Sequence, residues 1–537
     1  MMEGALIKRG LNGIFDINRV ERLNFNVIKT DKDLMSSVFE KLAKKEDREK
    51  YGQFFTHKEI IDFILDNIPL KKDSLILDPT CGAGAFLIEA FKRGCNIDRI
   101  YGVDIDAKAI EMCKFNLSSE TNKNSFNLLT NNFIGNPNIK ERLSEVMTLG
   151  GFDLIIGNPP FINLTKEGSD YSSDYPFFNE VSSGVINALS LVIARSYELL
   201  KEGGYLGFVL PKNILRVDSF RGLREFILKK TRIHLVLDLD HHFKDVRGDQ
   251  IILIFQKKSL NKEELEKNKI KIIPYKDKEK FSDRFSYYLS QEEFKKYDFF
   301  PLFYDIEVKK LADKLMNIPK KLEEVTDIFR GISVGASSEL ISKKPSNELT
   351  KCFRGDSISR FGIKYPLYID LKLLGKKDAN KIKRLQNEKV VAQNICSKEG
   401  GIFATLSSDN ELSLDTVTNI VTKDISLDTR FILGLVGSRL SNFFMTFVVY
   451  LNSNFTMHTD KMYLGRFPII TPSKSKKELI ISLVDILLNI QDKYSDQFSN
   501  VYSRLNKEVY EIYGLTNSEI LLIESLLNKV MSKKHHG

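Results

Sequence analysis

The stretch LILDPTCGAGAFLIEA, residues Leu75–Ala90, decides the fold. Its apolar start, Leu75–Leu77, reads as a short buried strand, and FLIEAFKRG reads as an amphipathic helix. Between them lies a loop of small residues, Cys81-Gly82-Ala83-Gly84-Ala85, which lets a ligand approach the backbone closely. A strand running through such a loop into a helix opens a doubly wound sheet, and ligands bind such sheets at the carboxyl ends of the strands. Alone, the loop is weak evidence, because a purely structural turn has the same composition. It also lacks the third glycine of the phosphate-binding fingerprint, a clamp that a nucleoside without a pyrophosphate needs less.

Working outward, HKEIIDFILDNI (residues 57–68) places apolar residues at helical spacing ahead of this unit. Downstream, IYGVDID (Ile100–Asp106) reads as a strand, followed by a helix from Ala107 to about Leu117. FDLIIGNPPF (Phe152–Phe161) reads as a third buried strand ending in a sharp proline loop. A helix over 186–201 ends at Gly203-Gly204 and leads into a fourth strand, YLGFVLP (Tyr205–Pro211). IHLVLDLD (Ile233–Asp240) and QIILIFQ (Gln250–Gln256) add a closely spaced pair that can include an antiparallel strand. Strands alternating with helices imply an α/β, doubly wound sheet covered on both faces. Residues 259–300 give no clear pattern, 302–324 look helical, and from Val325 the texture changes to short strands and turns. Residues 478–530 are helical again. The expected division is a helical extension over 1–50, an α/β domain over 51–300, an α+β domain over 301–475 and a helical segment over 476–537.

Composition narrows the class. Of 537 residues, 42% are hydrophobic and 28% charged, enough apolar content for two to four packed domains and too much for wholesale disorder. No uninterrupted apolar run reaches the roughly 18–20 residues of a membrane span. The first residues, MMEGALIKRG, lack the apolar stretch of a secretory signal. Five cysteines, never in a CxxC pair, argue against a disulfide framework or a structural zinc site and for a reducing, cytoplasmic setting. The net charge is +9, and residues 320–537 hold 31 basic against 24 acidic side chains, so the excess lies almost wholly there. It concentrates between Lys351 and Lys398, with 12 basic and 4 acidic residues. Such a zone can neutralise phosphates, although a solvated lysine-rich surface has the same composition.

Two further elements carry chemistry. The second strand ends at Asp104, and an acidic side chain there can accept hydrogen bonds from a ribose diol. Asn158-Pro159-Pro160-Phe161 follows directly on a buried strand. The prolines stiffen the backbone. The Asn158 amide oxygen and the Pro159 carbonyl can both accept hydrogen bonds, and Phe161 offers a flat stacking face. An exocyclic amine conjugated to a ring is a poor nucleophile because its lone pair is delocalised. Two acceptors gripping its hydrogens favour a pyramidal nitrogen and aim the lone pair outward. A lone NPP is as readily a proline turn. Its company with the small-residue loop and the acidic strand end argues otherwise.

Together, DPTCGAGAF, GVDID and NPPF resemble motifs I, II and IV of the S-adenosylmethionine-dependent N6-adenine DNA methyltransferases. YGQFFTHKEIIDFIL (Tyr51–Leu65) resembles their motif X, and its place ahead of motif I gives the gamma-class order. GGYLGFVLPKNIL (Gly203–Leu215) resembles the later strand motifs, and HHFKDVRGDQIILIF (His241–Phe255) resembles motif VIII. More loosely, RGISVG, FRGDSI, KVVAQNI and LGRFPIITP, between 325 and 472, look like a TaqI-like target-recognition domain. The resemblance implies that Asp78, Pro79, Cys81, Gly82 and Gly84 line the cofactor. Asp104 would bind its ribose, Ile105 would flank its adenine, and Phe54 and Thr56 would lie near its methionine end. Asn158, Pro159, Pro160 and Phe161 would hold the target adenine, with Asn158 also beside the cofactor and Phe243 as a second stacking face. Where the family often has an acidic residue for the cofactor adenine, this chain has LLTNNFIG, so Asn131 or Asn132 would substitute, Asn132 being the residue assigned. Phe161 replaces the commoner Tyr, and His57 replaces the usual Pro. The implied reaction is direct methyl displacement onto an adenine flipped out of duplex DNA. Arg330, Arg354, Arg360 and Lys364 are candidate DNA contacts.

Other readings stay open. NPP-aromatic motifs also serve methylation of protein glutamine and of RNA, and the chain could be the modification subunit of a larger restriction or defence complex. The fused basic region and motif X favour DNA. The stretch before motif X is too short for a nuclease, so no endonuclease domain is expected, and a non-enzymatic DNA-binding module is a further alternative. His241-His242 read as structural, because neighbours on a strand end point opposite ways and no metal cluster follows. No metal is expected. Cys81 reads as a small packing residue. Expected partners are double-stranded DNA, no membrane, and a monomer, with a specificity or defence-system subunit left open; the expected place is the bacterial nucleoid.

Overall fold

The computed structural model describes residues 56–136, 138–164, 177–182, 185–240, 248–258, 260–275, 281–297, 299–334, 340–364, 366–373, 379–408, 411–424, 427–454 and 456–531. The chain divides into two compact units, Met1–Leu302 and Phe303–Gly537. The helices after 476 therefore fold as part of the second unit and not as a segment apart.

The first unit is built on a nine-stranded sheet. Its strands are β1 (Ile76–Asp78), β2 (Ile100–Asp104), β3 (Asn127–Thr130), β4 (Phe152–Gly157) and β5 (Leu200–Pro211), then β6 (Thr231–Asp240), β7 (Gln250–Lys257), β8 (Lys269–Ile273) and β9 (Tyr287–Ser290). Their order is β9-β8-β6-β7-β5-β4-β1-β2-β3. Strands β3, β2, β1, β4 and β5 are mutually parallel, and β7 inserts antiparallel between β5 and β6. The closely spaced pair does include an antiparallel strand, as a short connection demands. Strands β8 and β9 extend the sheet within 259–300, where the sequence shows no pattern. Lys269, Lys271 and Tyr288 interrupt the apolar runs there, and only pairing to the edge of β6 makes strands of them.

The helices that position the site are α1 (Lys58–Asp66), α2 (Ala85–Lys92) and α3 (Ala107–Thr121), with α4 (Ala188–Leu199) and α5 (Arg221–Lys230) later in the chain. Ile60, Ile61 and Ile64 of α1, Phe86 and Leu87 of α2 and Ile110 and Cys113 of α3 share one core with Val209, Ile252 and Leu237 of the sheet. Each large apolar side chain buried there contributes about 1.5–3 kcal/mol. Helix α1 seats closely because Gly207 has no side chain: a Cβ there would lie 2.6 Å from Ile64. The alternate residues Phe208, Leu210, Ile251 and Leu253 are fully buried too, and α4 and α5 pack on β5 and β6. Both faces are thus covered. The expected stop at Gly203-Gly204 differs from the structure, where β5 already starts at Leu200. Its register to β4 jumps between Phe152 and Leu154, and Gly203, at φ 81°, lets the strand make that excursion.

In the second unit, β10 (Thr326–Arg330), β11 (Lys389–Gln393), β13 (Ala404–Ser407) and β14 (Val417–Thr422) form an antiparallel sheet in the order β10-β14-β11-β13. The two-residue strands β12 (Ile395–Cys396) and β15 (Met457–His458) pair beside it. The same unit contains a second four-stranded sheet and, among its helices, α6 (Ile306–Met316), α7 (Thr429–Val436), α8 (Arg439–Phe443), α9 (Lys461–Leu464), α10 (Lys474–Asn489), α11 (Asp496–Ile512) and α12 (Asn517–Met531). Gly434 of α7 lets Ile480 and Val484 of α10 and Leu505 of α11 approach closely. Among the described residues no single helix is long and apolar enough to cross a membrane; the apolar pair Thr429–Val436 and Arg439–Val449 is bent by 51° and is core.

Candidate active site

The carboxyl ends of β1, β2, β3 and β4 meet at one edge of the first unit. After Asp78 the chain turns at once: Thr80 N–H donates to Asp78 Oδ1 at 3.0 Å. Cys81 N–H then donates to the Val103 carbonyl at 2.9 Å, tying the loop to β2. Gly82 (φ 53°) and Gly84 (φ 87°) take the left-handed conformation that glycine adopts at little cost. A Cβ on Gly84 would lie 2.5 Å from Cys113 Sγ, whereas one on Gly82 would meet nothing within 4 Å. The loop is therefore packed hard on its inner side and open at Gly82. Asn116 of α3 donates to the Ala83 carbonyl at 3.0 Å.

Asp104 holds the loop in place. Its Oδ2 accepts from Gly82 N–H at 2.8 Å and its Oδ1 from Asp106 N–H at 2.9 Å. Burial pushes the Asp104 carboxyl up, opposed by the backbone N–H groups of Asp106, Gly82 and Ile105. Asp78 is fully buried, and burial, then the nearby Asp104 charge, raise it well above the usual carboxylate range. The hydrogen bond to the Cys113 thiol, reinforced by burial, raises Cys81 well above the usual thiol range. Cys81 is thus a neutral packing group and a poor nucleophile.

Strand β4 ends against the same edge. A Cβ on Gly157 would lie 2.7 Å from Asp78 Oδ1, so only glycine lets the chain turn here into Asn158. Asn158 Nδ2 donates to Thr56 Oγ1, just ahead of α1, at 3.2 Å. That bond turns the amide and leaves Oδ1 as a free acceptor. Pro159 is buried, while Pro160 and Phe161 are half-buried. Thr56, Asp78, Asp104 and Asn158 are thereby brought together from four segments.

At the end of β3, Asn132 Oδ1 accepts from Ile134 N–H at 3.2 Å and Gly135 N–H at 3.0 Å, closing a turn. Asn131 Oδ1 is buried with no hydrogen-bond partner among the described residues, and its backbone N–H is tied to the Asp104 carbonyl at 2.8 Å. Ile105 is 48% exposed at the rim. Phe54, Phe243 and the His241-His242 pair lie outside the described residues. Among the described residues no cluster of His, Cys, Asp and Glu could hold a metal ion.

The groups behind the site carry no mark in the linear sequence. Cys113 and Asn116 buttress the loop from α3, and nothing in linear order links them to it. Buried Lys212 and half-buried Asp238 form an ion pair at 2.6 Å where β5 and β6 end.

The basic candidates of the second unit fare differently from one another. Arg360 lies 5.1 Å from the Tyr502 ring and 5.6 Å from the Phe403 ring, packed into the fold. Lys364 is exposed, 5.6 Å from the Tyr494 ring. Arg354 is half-buried, its backbone N–H donating to Ser357 Oγ at 3.3 Å. Arg330 is 47% exposed and forms a two-pronged ion pair with Asp460.

Comparison with known proteins agrees with this geometry. The chain is 27% identical over 241 residues to the type II methyltransferase M.VspI of Vibrio sp. (strain 343), covering 44% of this chain and 56% of that one. It is 31% identical over 180 residues to the type II methyltransferase M.CvrRI of Paramecium bursaria Chlorella virus XZ-6E, covering 34% and 41%. It thus spans about half the length of these curated relatives, or less. In fold, it matches the Type IIL restriction-modification enzyme MmeI solved in complex with DNA, with a TM-score of 0.55 at 12% identity over 96% of this chain and 78% of that one. It also matches a DrdV–DNA complex, with a TM-score of 0.52 at 13% identity over 84% and 58%. Residues 98–244 match the Eco57I restriction-modification methylase family and residues 350–469 the TaqI-like C-terminal specificity domain. Asp104 and the Asn158 turn thus fall within the stretch that is similar to the Eco57I restriction-modification methylase family, and a later stretch of the same chain is similar to the TaqI-like C-terminal specificity domain.

Proposed function

We propose that this protein is a site-specific DNA methyltransferase that moves a methyl group from S-adenosylmethionine to the N6 amine of a flipped-out adenine. The observation that carries the reading is the bond from Asn158 Nδ2 to Thr56 Oγ1, beside Gly157 pressed on Asp78. It fixes an uncharged acceptor at the same edge as the glycine loop.

The residues present fit the cofactor. Open space lies over Gly82, and the Asp104 carboxylate, held beside it by the Gly82 N–H, is an acceptor suited to a ribose diol. The orphaned Asn131 Oδ1 suits an adenine amine, whereas Asn132 Oδ1 already closes a turn. On this ground we read Asn131, in place of Asn132, as the adenine contact. Accordingly, Asn131→Ala should weaken cofactor binding about five- to tenfold, the value of one hydrogen bond to a buried group. Asn132→Ala should instead lower the melting temperature. Calorimetry and thermal melts separate the two.

When bound, the cofactor supplies an electrophilic methyl group. The chain's own part is to hold the acceptor. Asn158 Oδ1 and the Pro159 carbonyl accept the two N–H bonds of the target amine, which frees its lone pair. Phe161 stacks on the base and offsets the few kcal/mol of unstacking. Buried, prearranged dipoles of this kind need no reorganisation as charge develops on the nitrogen.

The test is transfer of tritiated methyl groups to DNA, RNA and protein acceptors offered separately, followed by long-read mapping of the modified DNA. Label on DNA, as N6-methyladenine at one sequence, is the expected result. Label only on RNA or on protein glutamine overturns the DNA assignment, and no label on any acceptor overturns the methyltransferase.

A further inference from the structure

In the second unit, Arg330 sits in a setting unlike that of a general phosphate contact. Arg330 ends β10 opposite Thr418 of β14. Gly331 follows, and a Cβ there would lie 2.2 Å from the Ser413 carbonyl, so the backbone is clamped directly after the arginine. Arg330 Nε donates to Asp460 Oδ1 at 2.8 Å and Nη2 donates to Asp460 Oδ2 at 2.6 Å. Asp460 is itself fixed. Its Oδ1 accepts from Asn394 Nδ2 at 2.9 Å, and its carbonyl accepts the Tyr463 and Leu464 N–H groups that begin α9. Asn394 is 1% exposed and also donates to Thr418 Oγ1 at 2.9 Å.

This arrangement consumes one long edge of the guanidinium. A guanidinium carries five N–H groups in a planar fork. With Nε–H and one Nη2–H committed to Asp460, the end of the fork keeps both Nη1–H groups and the second Nη2–H. Two parallel donors in a fixed plane match two acceptors side by side, as on the O6/N7 edge of guanine. Asp460, with Asp415 also close enough to act on Arg330, compensates the positive charge locally. Little net charge is left for a phosphate, but the directional donors remain. Along the chain near the pair, charged Lys461 is exposed, and so are two apolar residues: Ile395, directly after Asn394, at 54% and Met462, two residues past Asp460, at 40%. Apolar groups at that place suit base edges and thymine methyls better than a charged backbone.

We propose that Arg330, held as a rigid fork by Asp460, reads a guanine in the DNA sequence that this chain recognises. The proposal rests on the reading of the chain as a DNA methyltransferase and adds a residue that sets its sequence choice. Asp460 is a positioning residue acting through Arg330.

The experiment maps methylated sites, by long-read sequencing, in DNA from methylation-free cells expressing the full chain, Arg330→Ala or Asp460→Asn. Binding of the purified proteins to a duplex carrying the mapped site is then measured against salt. The wild type should give a motif with at least one fixed guanine. Arg330→Ala should lose about tenfold or more of the discrimination at that one position, keep the others, and leave the salt slope unchanged. Asp460→Asn should relax the same position to a smaller degree. A site with 7-deazaguanine there should bind the wild type about tenfold more weakly, a readout that needs no protein variant and survives if Arg330→Ala does not fold. The proposal is overturned by a motif without guanine, or by 7-deazaguanine binding as well as guanine at every position. An unchanged motif in folded Arg330→Ala overturns it too, as does a uniform loss across all positions with a salt slope shallower by about one, the mark of a phosphate contact. Failure of the underlying function shows separately, as a wild type that leaves no methylated DNA at all.

Discussion

At the scale of single residues, the proposed function makes Asn158, and the group that turns its amide, the first to test. Asn158→Ala should lower methyl transfer to DNA about 10²–10³-fold, the usual cost of removing one prearranged dipole. Thr56→Val should cost less, on the order of tenfold, because Oδ1 remains and only its orientation is freed. Steady-state incorporation of labelled methyl groups checks both. Asp78 gives a prediction in pH. Burial raises its carboxyl above the ordinary range in the cofactor-free protein. Between the ordinary value and the raised one, the folded state holds more protons than the unfolded state, so stability falls as pH rises through that window. A cationic ligand favours the ionised form, so cofactor affinity should rise with pH across the same window and binding should release protons. Calorimetry in two buffers of different ionisation enthalpy measures this, and Asp78→Asn should flatten both profiles. The identities of Asp78, Asp104 and Asn158 were legible in the sequence because each follows an apolar strand run. Their hydrogen-bond partners were not. Thr56 lies 102 residues from Asn158, and only the docking of α1 on β5 brings them together.

Among the elements, the turn from β1 into α2 is the one most tightly determined. Gly84 sits at φ 87° with Cys113 Sγ against it. Gly84→Ala should destabilise the protein by about 1–3 kcal/mol and weaken cofactor binding with it. Adding Cys113→Ala should restore part of that loss by removing the steric contact, while the backbone strain stays. Denaturant unfolding of the single and double variants gives the coupling directly. A fully restored double variant would place the whole cost in the contact with Cys113. Element boundaries show where sequence reading loses force. Helix α3 runs on to Thr121, four residues past the expected end, because the polar stretch Ser118–Thr121 carries no apolar period to mark it. Strands β8 and β9 escaped notice for the related reason that edge pairing, and not composition, makes them strands.

For the whole molecule, the charge distribution sets the expected behaviour with DNA. Residues 320–537 carry most of the +9 excess, but Arg330, Lys351, Arg384 and Arg439 are already paired with Asp460, Glu411, Asp327 and Glu524. Enough lysines remain exposed for backbone contacts. Affinity for duplex DNA should therefore fall steeply with salt, with a slope of log affinity on log salt of about −3 or steeper. Fluorescence anisotropy between low and moderate salt checks it. A flat profile would show that the basic zone is only a solvated surface.

By itself, the sequence determined the class of fold and marked the residues on which the proposed chemistry is built. Apolar runs of strand length alternating with amphipathic helices leave few ways to bury both faces of a sheet, and a small-residue loop, an acidic strand end and NPPF are local signals written in consecutive residues. Tertiary structure alone decided which atoms are free to act. It closed Asn132 into a turn and left Asn131 bare, packed Arg360 against rings while fixing Arg330 in a fork, and set the Asn158 amide by a bond to Thr56. A side chain's residue type is local, but whether its donors and acceptors are already satisfied depends on partners brought up from distant parts of the chain.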